Sequence, residues 1–151
     1  MGTRHNIQVT VNDKIKISQY GQWDGYPTGQ GAGIADFLRT AELDLFRKKV
    51  WKLGLITKKE IEEINATENW QKEYPWLSRD AGSEILRYVY EDKAKFVVRN
   101  EDMSWCEYLY NIDLDKKTVT VGTMTFPFEV WTEECFMEQL EEDERDEEDD
   151  Y

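Results

Sequence analysis

Near its start the chain alternates apolar and polar side chains twice, over Asn6 to Val11 (N-I-Q-V-T-V) and Lys14 to Tyr20 (K-I-K-I-S-Q-Y), with Asn12-Asp13 between them. Alternation of period two gathers the apolar residues of each stretch on one face, and Asn-Asp is turn chemistry. The pair predicts a β-hairpin with one buried face. The period then changes: Ile34, Phe37, Leu38, Leu45, Phe46, Val50 and Leu53 recur at helical spacing, with Gly54 as a stop. This predicts one helix from about Ala35 to Leu53. Thr57 and Glu60 form a capping box that opens a short helix through about Ile64. An aromatic stretch from Trp70 to Leu77, broken by Pro75, interrupts regular structure. Ile85, Leu86, Val89 and Tyr90 then predict a helix over about Ala81 to Glu91, capped by Asp80 or Ser83.

Strands are predicted at Lys95 to Arg99, Trp105 to Leu114 and Thr118 to Thr123, with Asp115-Lys116-Lys117 as the turn between the last two. Tyr108, Tyr110 and Ile112 share one face, and Val119 and Val121 face them. Phe126-Pro127-Phe128 continues as an edge segment, because proline cannot donate to a central ladder. Thr132 begins a final helix through about Leu140. The fold class is α+β: an antiparallel sheet built from the N-terminal hairpin and a C-terminal meander, with a helical insert between them.

With 151 residues, 40% of them hydrophobic, the chain can bury a core of its own. One domain is expected over residues 1–140, followed by an acidic, disordered tail at 141–151. The chain holds no apolar run of about 18 residues and no signal-peptide pattern, so a soluble, cytoplasmic protein is expected, without membrane contact. A single histidine, His5, and two cysteines, Cys106 and Cys135, without a CxxC spacing exclude a structural zinc site and favour reduced thiols. No metal or cofactor is implied.

The net charge of -13 changes the picture more than the composition does. Nine acids stand at 141–150: Glu141, Glu142, Asp143, Glu144, Asp146, Glu147, Glu148, Asp149 and Asp150. With Arg145 they net -8, which leaves 23 acids against 18 bases, or -5, for residues 1–140. So dense a run cannot bury apolar area and repels itself. It is either a solubilising end or a polyanion suited to a basic groove, on a partner or on its own domain. The chain's basic cluster is Arg47, Lys48, Lys49, Lys52, Lys58 and Lys59. Direct nucleic-acid binding is disfavoured by the overall charge.

Candidate chemistry concentrates between Gly21 and Gly33 (G-Q-W-D-G-Y-P-T-G-Q-G-A-G), which holds five of the nine glycines. A strand, a glycine loop and a helix can present free amides to an anion. Yet no Lys-Ser/Thr follows the last glycine, and no βαβ unit precedes it, so neither the Walker nor the dinucleotide pattern is met. The hairpin brings the start of the first strand to the end of the second. Arg4, His5 and Asp24 are therefore the catalytic candidates if the chain is an enzyme, and Gln22, Trp23, Asp24, Tyr26, Gly29, Gly31 and Gly33 are the ligand-binding candidates.

Thr3-Arg4, then Gln19-Tyr-Gly-Gln-Trp-Asp-Gly-Tyr-Pro27, Leu77-Ser-Arg-Asp-Ala-Gly-Ser-Glu-Ile-Leu86 and Cys106-Glu-Tyr-Leu-Tyr-Asn-Ile-Asp-Leu-Asp115 resemble a family of small proteins from phage, bacterial and fungal genomes. The likeness covers most of residues 1–123 and leaves out the acidic end. Many family sequences carry His before the Trp where this chain has Gln22, which weighs against imidazole catalysis from the loop. The resemblance transfers no catalytic residue.

Three functions fit. The first is a small acidic binding or inhibitor protein, a phage-encoded, anti-CRISPR-like protein occupying a basic, nucleic-acid-binding surface of a host protein. The second is a small hydrolase or nucleotide-ligand binder with a pocket at the Gly21–Gly33 loop, Arg4 and His5. The third is a structural or assembly protein.

Overall fold

A computed structural model describes residues 4–21, 23–55, 57–77, 81–94, 96–97, 106–133 and 136–140. The expected cap Asp80, the thiol Cys135 and the acidic segment 141–151 lie outside the described residues, as does most of the expected strand from Lys95 to Arg99.

The opening alternation folds as a hairpin of β1 (His5–Val11) and β2 (Lys14–Gly21). It turns at Asn12 and Asp13, whose φ angles of 51° and 62° are the consecutive left-handed pair that a tight hairpin turn needs. One residue breaks the strict alternation. Val9 pairs with Ile17 and Thr10 with Ile15, so Lys16 is the extra residue of a β-bulge. The bulge turns Lys16 toward the helices, where its Nζ donates to the Leu53 carbonyl at 3.1 Å.

The single helix expected from Ala35 to Leu53 is two, α1 (Ala32–Thr40) and α2 (Leu43–Lys52). Ala41 and Glu42 between them are extended. The break lets both helices reach one core. Phe37 and Phe46 meet edge to face at 4.7 Å, whereas on a continuous helix nine residues span about 13.5 Å. The Tyr90 hydroxyl accepts the Glu42 amide at 3.0 Å and so secures the joint.

Next come α3 (Lys58–Ala66), with both hydrogen bonds of its Thr57–Glu60 capping box formed, a single turn α4 (Trp70–Glu73), and α5 (Glu84–Tyr90). Ser83 precedes α5 but does not cap it through its side chain. Its hydroxyl is instead pressed against Gly33, where an added Cβ would lie 2.2 Å away.

Two short strands, β3 (Gly54–Leu55) and β4 (Phe96–Val97), pair in parallel. β5 (Tyr108–Asp113), β6 (Thr118–Val121) and β7 (Met124–Pro127) complete the main sheet, in the order β2-β1-β5-β6-β7. Pro127 ends the edge strand, where its missing donor costs nothing. Thr132 does not begin a helix. It closes the turn α6 (Phe128–Trp131), its hydroxyl bonded back to the Phe128 carbonyl at 2.8 Å, and residues 136–140 are helical again.

Three of the four pairings in the five-stranded main sheet are antiparallel, and the joint between its two halves, β1 with β5, is parallel. The α+β expectation holds with that one parallel pair, because the helical insert returns the chain to the end from which β1 started. Ile7, Val9, Ile17, Tyr110, Ile112 and Val119 form the buried face of the sheet, beneath Ile34, Phe37, Phe46, Leu86 and Trp131. The other face is polar: Ser18 bonds Asn6, and Asn111 bonds both Gln8 and Thr10.

Candidate functional site

The glycine-rich segment is a loop closed on itself. Asp24 takes a left-handed φ of 54°, and its carbonyl accepts the Gln30 amide at 2.7 Å. The Tyr26 carbonyl accepts from Gly29 at 2.9 Å and from Gly31 at 3.4 Å, over a π-helical turn, Pro27–Gly31, that leads into α1. The amides that an anion cradle would offer are therefore engaged within the loop rather than free. Gly29 is required by this closure: a Cβ there would sit 2.3 Å from the Asp24 carbonyl oxygen. At Gly31 it would meet Trp131, Met137 and the Tyr110 hydroxyl at 3.4 to 3.5 Å, so that the loop lies against the core.

His5 is the first residue of β1, 1% exposed, and in register with Gly21 on one side and Tyr108 on the other. Arg4 is exposed, and its carbonyl accepts the Tyr108 amide at 3.2 Å. Tyr26 meets the Tyr108 ring edge to face at 5.8 Å, and Tyr108 stacks on Tyr110 at 6.2 Å. Arg4, His5 and Tyr26 are thus gathered around Tyr108. Trp23 and Tyr26 are 52% and 47% exposed, two aromatic side chains on the outside of the loop. Asp24 is exposed, Gln22 lies outside the described residues, and Gly33 has moved on into α1, beside Ser83. Burial pushes the Cys106 thiol above its ordinary pKa, while the positive charge of Arg4 pulls it down.

Two residues that pattern reading did not single out hold this corner together. The Tyr110 hydroxyl donates to the Gly25 carbonyl at 2.6 Å, and Gln30 donates to the Trp23 carbonyl at 3.2 Å while accepting the Ser83 amide at 2.7 Å. Gly82, at φ 51°, makes room for the Gln30 amide, which a Cβ would approach to 2.4 Å. A glutamine between two glycines was the available signal.

Beside the loop, a cleft of about 430 Å³ separates α1 from α5. Arg87 lies in it, donating to the Thr40 hydroxyl at 2.7 Å and resting over Phe37, with Asp36, Glu84 and Glu91 along its walls. Burial and the Glu84 carboxylate, which Tyr88 meets at 3.3 Å, push the Tyr88 phenol up. Among the described residues no group of three or more His, Cys, Asp or Glu side chains could hold a metal ion, and no helix is long and apolar enough to cross a membrane.

Comparison with family models, with curated proteins and with solved structures finds no match.

Proposed function

We propose that the chain is a small acidic binding protein that occupies a basic, nucleic-acid-binding surface of a host protein, in the manner of phage-encoded anti-defence (anti-CRISPR-like) inhibitors. The observation that carries this reading is the charge and its placement: -13 overall, with -8 of it in ten consecutive residues at 141–150. The cleft between α1 and α5 adds Glu84 to this acidity, whereas Asp36 and Glu91 on its walls are paired with Arg39 and Lys93. Such a surface steers a basic partner and repels nucleic acid itself. The engaged amides of the glycine loop and the burial of His5 within the sheet support binding over chemistry at that corner.

Affinity capture from the native host, followed by mass spectrometry, should return a nucleic-acid-binding protein that added nucleic acid displaces. Replacing the nine acids of 141–150 by Asn and Gln should weaken that capture about tenfold or more, a loss of at least about 1.4 kcal/mol. Undiminished capture, or a captured protein indifferent to nucleic acid, overturns the reading.

A second reading rests on a separate observation, the exposed Trp23 and Tyr26 of the loop, of which Tyr26 packs on Tyr108. Here a flat or aromatic ligand, such as a nucleotide base, stacks on the loop. Nucleotide titration followed by tryptophan fluorescence tests it: a saturable change lost in Trp23→Ala supports it, and no change at millimolar nucleotide rejects it.

A further inference from the structure

Positive charge gathers on one side of the helical layer. Lys48 and Lys52, one turn apart on α2, have no ion-pair partner among the described residues, and Lys49 between them pairs with Asp92 at 3.0 Å. These lysines rim a groove of about 350 Å³ whose floor includes Leu45, Leu53 and Val89. Next to it Trp51, 43% exposed, lies under Lys14 at 5.7 Å and Lys16 at 5.4 Å from its ring centroid. The bond from the bulged Lys16 to the Leu53 carbonyl ties the hairpin to the rim of the groove.

We propose that this groove seats the chain's own acidic segment, residues 141–150. Three arguments converge on that occupant. The first is charge: a strip with nine acids and one base is complementary to a groove rimmed by Lys48 and Lys52. An apolar floor lowers the local dielectric and strengthens each ammonium–carboxylate pair relative to open surface.

The second is reach. Leu140 is buried, and Met137 lies 3.5 Å from the Cβ position of Gly31, where α1 begins. From there to Lys48 the backbone path through α1, two extended residues and the first half of α2 is about 30 Å. The straight distance is shorter, because α1 and α2 fold back on each other at Phe37 and Phe46. Ten extended residues span up to about 35 Å, so even along the full path the distal acids Asp149 and Asp150 come level with Lys48.

The third is tethering. A segment on the same chain acts at an effective concentration on the order of millimolar, so it outcompetes a free polyanion of similar intrinsic affinity. Docking of this kind holds whether or not the segment also meets a partner. Where it does, the partner's basic surface must displace Lys48 and Lys52, which sets a threshold for binding.

Zero-length carbodiimide coupling of the full chain, in an equal mixture of ¹⁴N- and ¹⁵N-labelled protein, tests the proposal. At about 20 mM salt Lys48 and Lys52 should couple to carboxylates of 141–150 within one isotopic chain. The yield should fall severalfold at about 300 mM salt, where the screening length is nearly four times shorter. In K48E/K52E the added negative charge should repel the segment, so that coupling at Lys49 in the same groove falls severalfold. Coupling spread equally over Lys72, Lys93 and Lys116, or insensitive to salt, overturns the proposal. Coupling found only between isotopes assigns the groove to a second copy instead. Binding of a ten-nucleotide single-stranded DNA that depends on Lys48 and Lys52, with no coupling to the segment, assigns it to nucleic acid.

Discussion

The hydroxyl of Tyr110, on the central strand β5, donates to the carbonyl of Gly25 at 2.6 Å across 85 residues of sequence, and both residues are buried. This bond fixes the height of the glycine loop above the sheet. Tyr110→Phe removes the donor and leaves the Gly25 oxygen desolvated without a partner, a loss of about 1–3 kcal/mol. Urea denaturation should show that loss, together with faster amide exchange at Gly29 and Gln30. Unchanged protection in the loop would mean that its internal bonds suffice to hold it.

Glycines in this chain differ in what they are for. Gly29→Ala drives a Cβ onto the Asp24 backbone oxygen, 2.3 Å away, and should destabilise by about 1–3 kcal/mol or more. Gly54→Ala meets nothing within 4 Å and should be neutral, or stabilising by up to about 1 kcal/mol through the unfolded chain. Thermal melts of the two variants measured together check the contrast.

Asp115 ties three elements into one corner. Its carboxylate accepts from the Asn12 amide and from Arg47 Nε at 2.8 Å, while Arg47 also reaches the Asn12 side chain at 2.8 Å. The Asn12 amide and then the Arg47 guanidinium hold the Asp115 carboxyl below its ordinary pKa. Its contribution to stability is therefore complete above the unfolded carboxylate range, near 3.9, and is lost as pH falls through the lower folded value. Asp115→Asn should flatten the acid limb of the stability profile below about pH 4. An acid limb identical to that of the parent would show that the corner titrates through other groups.

Cys106 should be a slow thiol. Burial raises its pKa and Arg4 opposes the rise, so the thiolate fraction at pH 8 lies below that of an unstructured cysteine, and alkylation should run slower. Arg4→Gln removes the opposing charge and should slow it further. Peptide mapping after iodoacetamide treatment reads this site separately from Cys135, and acceleration in the Arg4 variant would contradict the assigned electrostatics.

What the sequence reveals is what is local. The hairpin with its Asn12-Asp13 turn and the Thr57–Glu60 capping box are written in adjacent residues, and both form. The break between Thr40 and Leu43 is not, because helical spacing runs unbroken from Ile34 to Leu53. Only the shared core, with Phe37 against Phe46 and Tyr90 bonded to Glu42, selects two helices. The parallel joint of β1 and β5 likewise depends on where the helices return the chain. At the loop, the glycines mark an ordered turn, but their purpose depends on partners that sequence does not display, namely Asp24 for Gly29 and Gln30 for Gly82. The basic cluster is legible as charge, yet Arg47 and Lys49 are neutralised by Asp115 and Asp92, leaving Lys48, Lys52, Lys58 and Lys59 without an ion pair among the described residues.

The parallel pairing of β1 with β5 also carries a timetable. Val11 ends β1 and Tyr108 opens β5, so 96 residues must be synthesised between them, roughly 5–20 s at ordinary translation rates. Throughout that interval the inner edge of β1 has its hairpin partner on one side and bare amides and carbonyls on the other. A nascent chain in this state is a template for any passing strand, and two of them are templates for each other. High expression should therefore be limited by association of unfinished chains before it is limited by the stability of finished ones, and slower synthesis at low temperature will help only if the helices fold soon enough to shelter that edge.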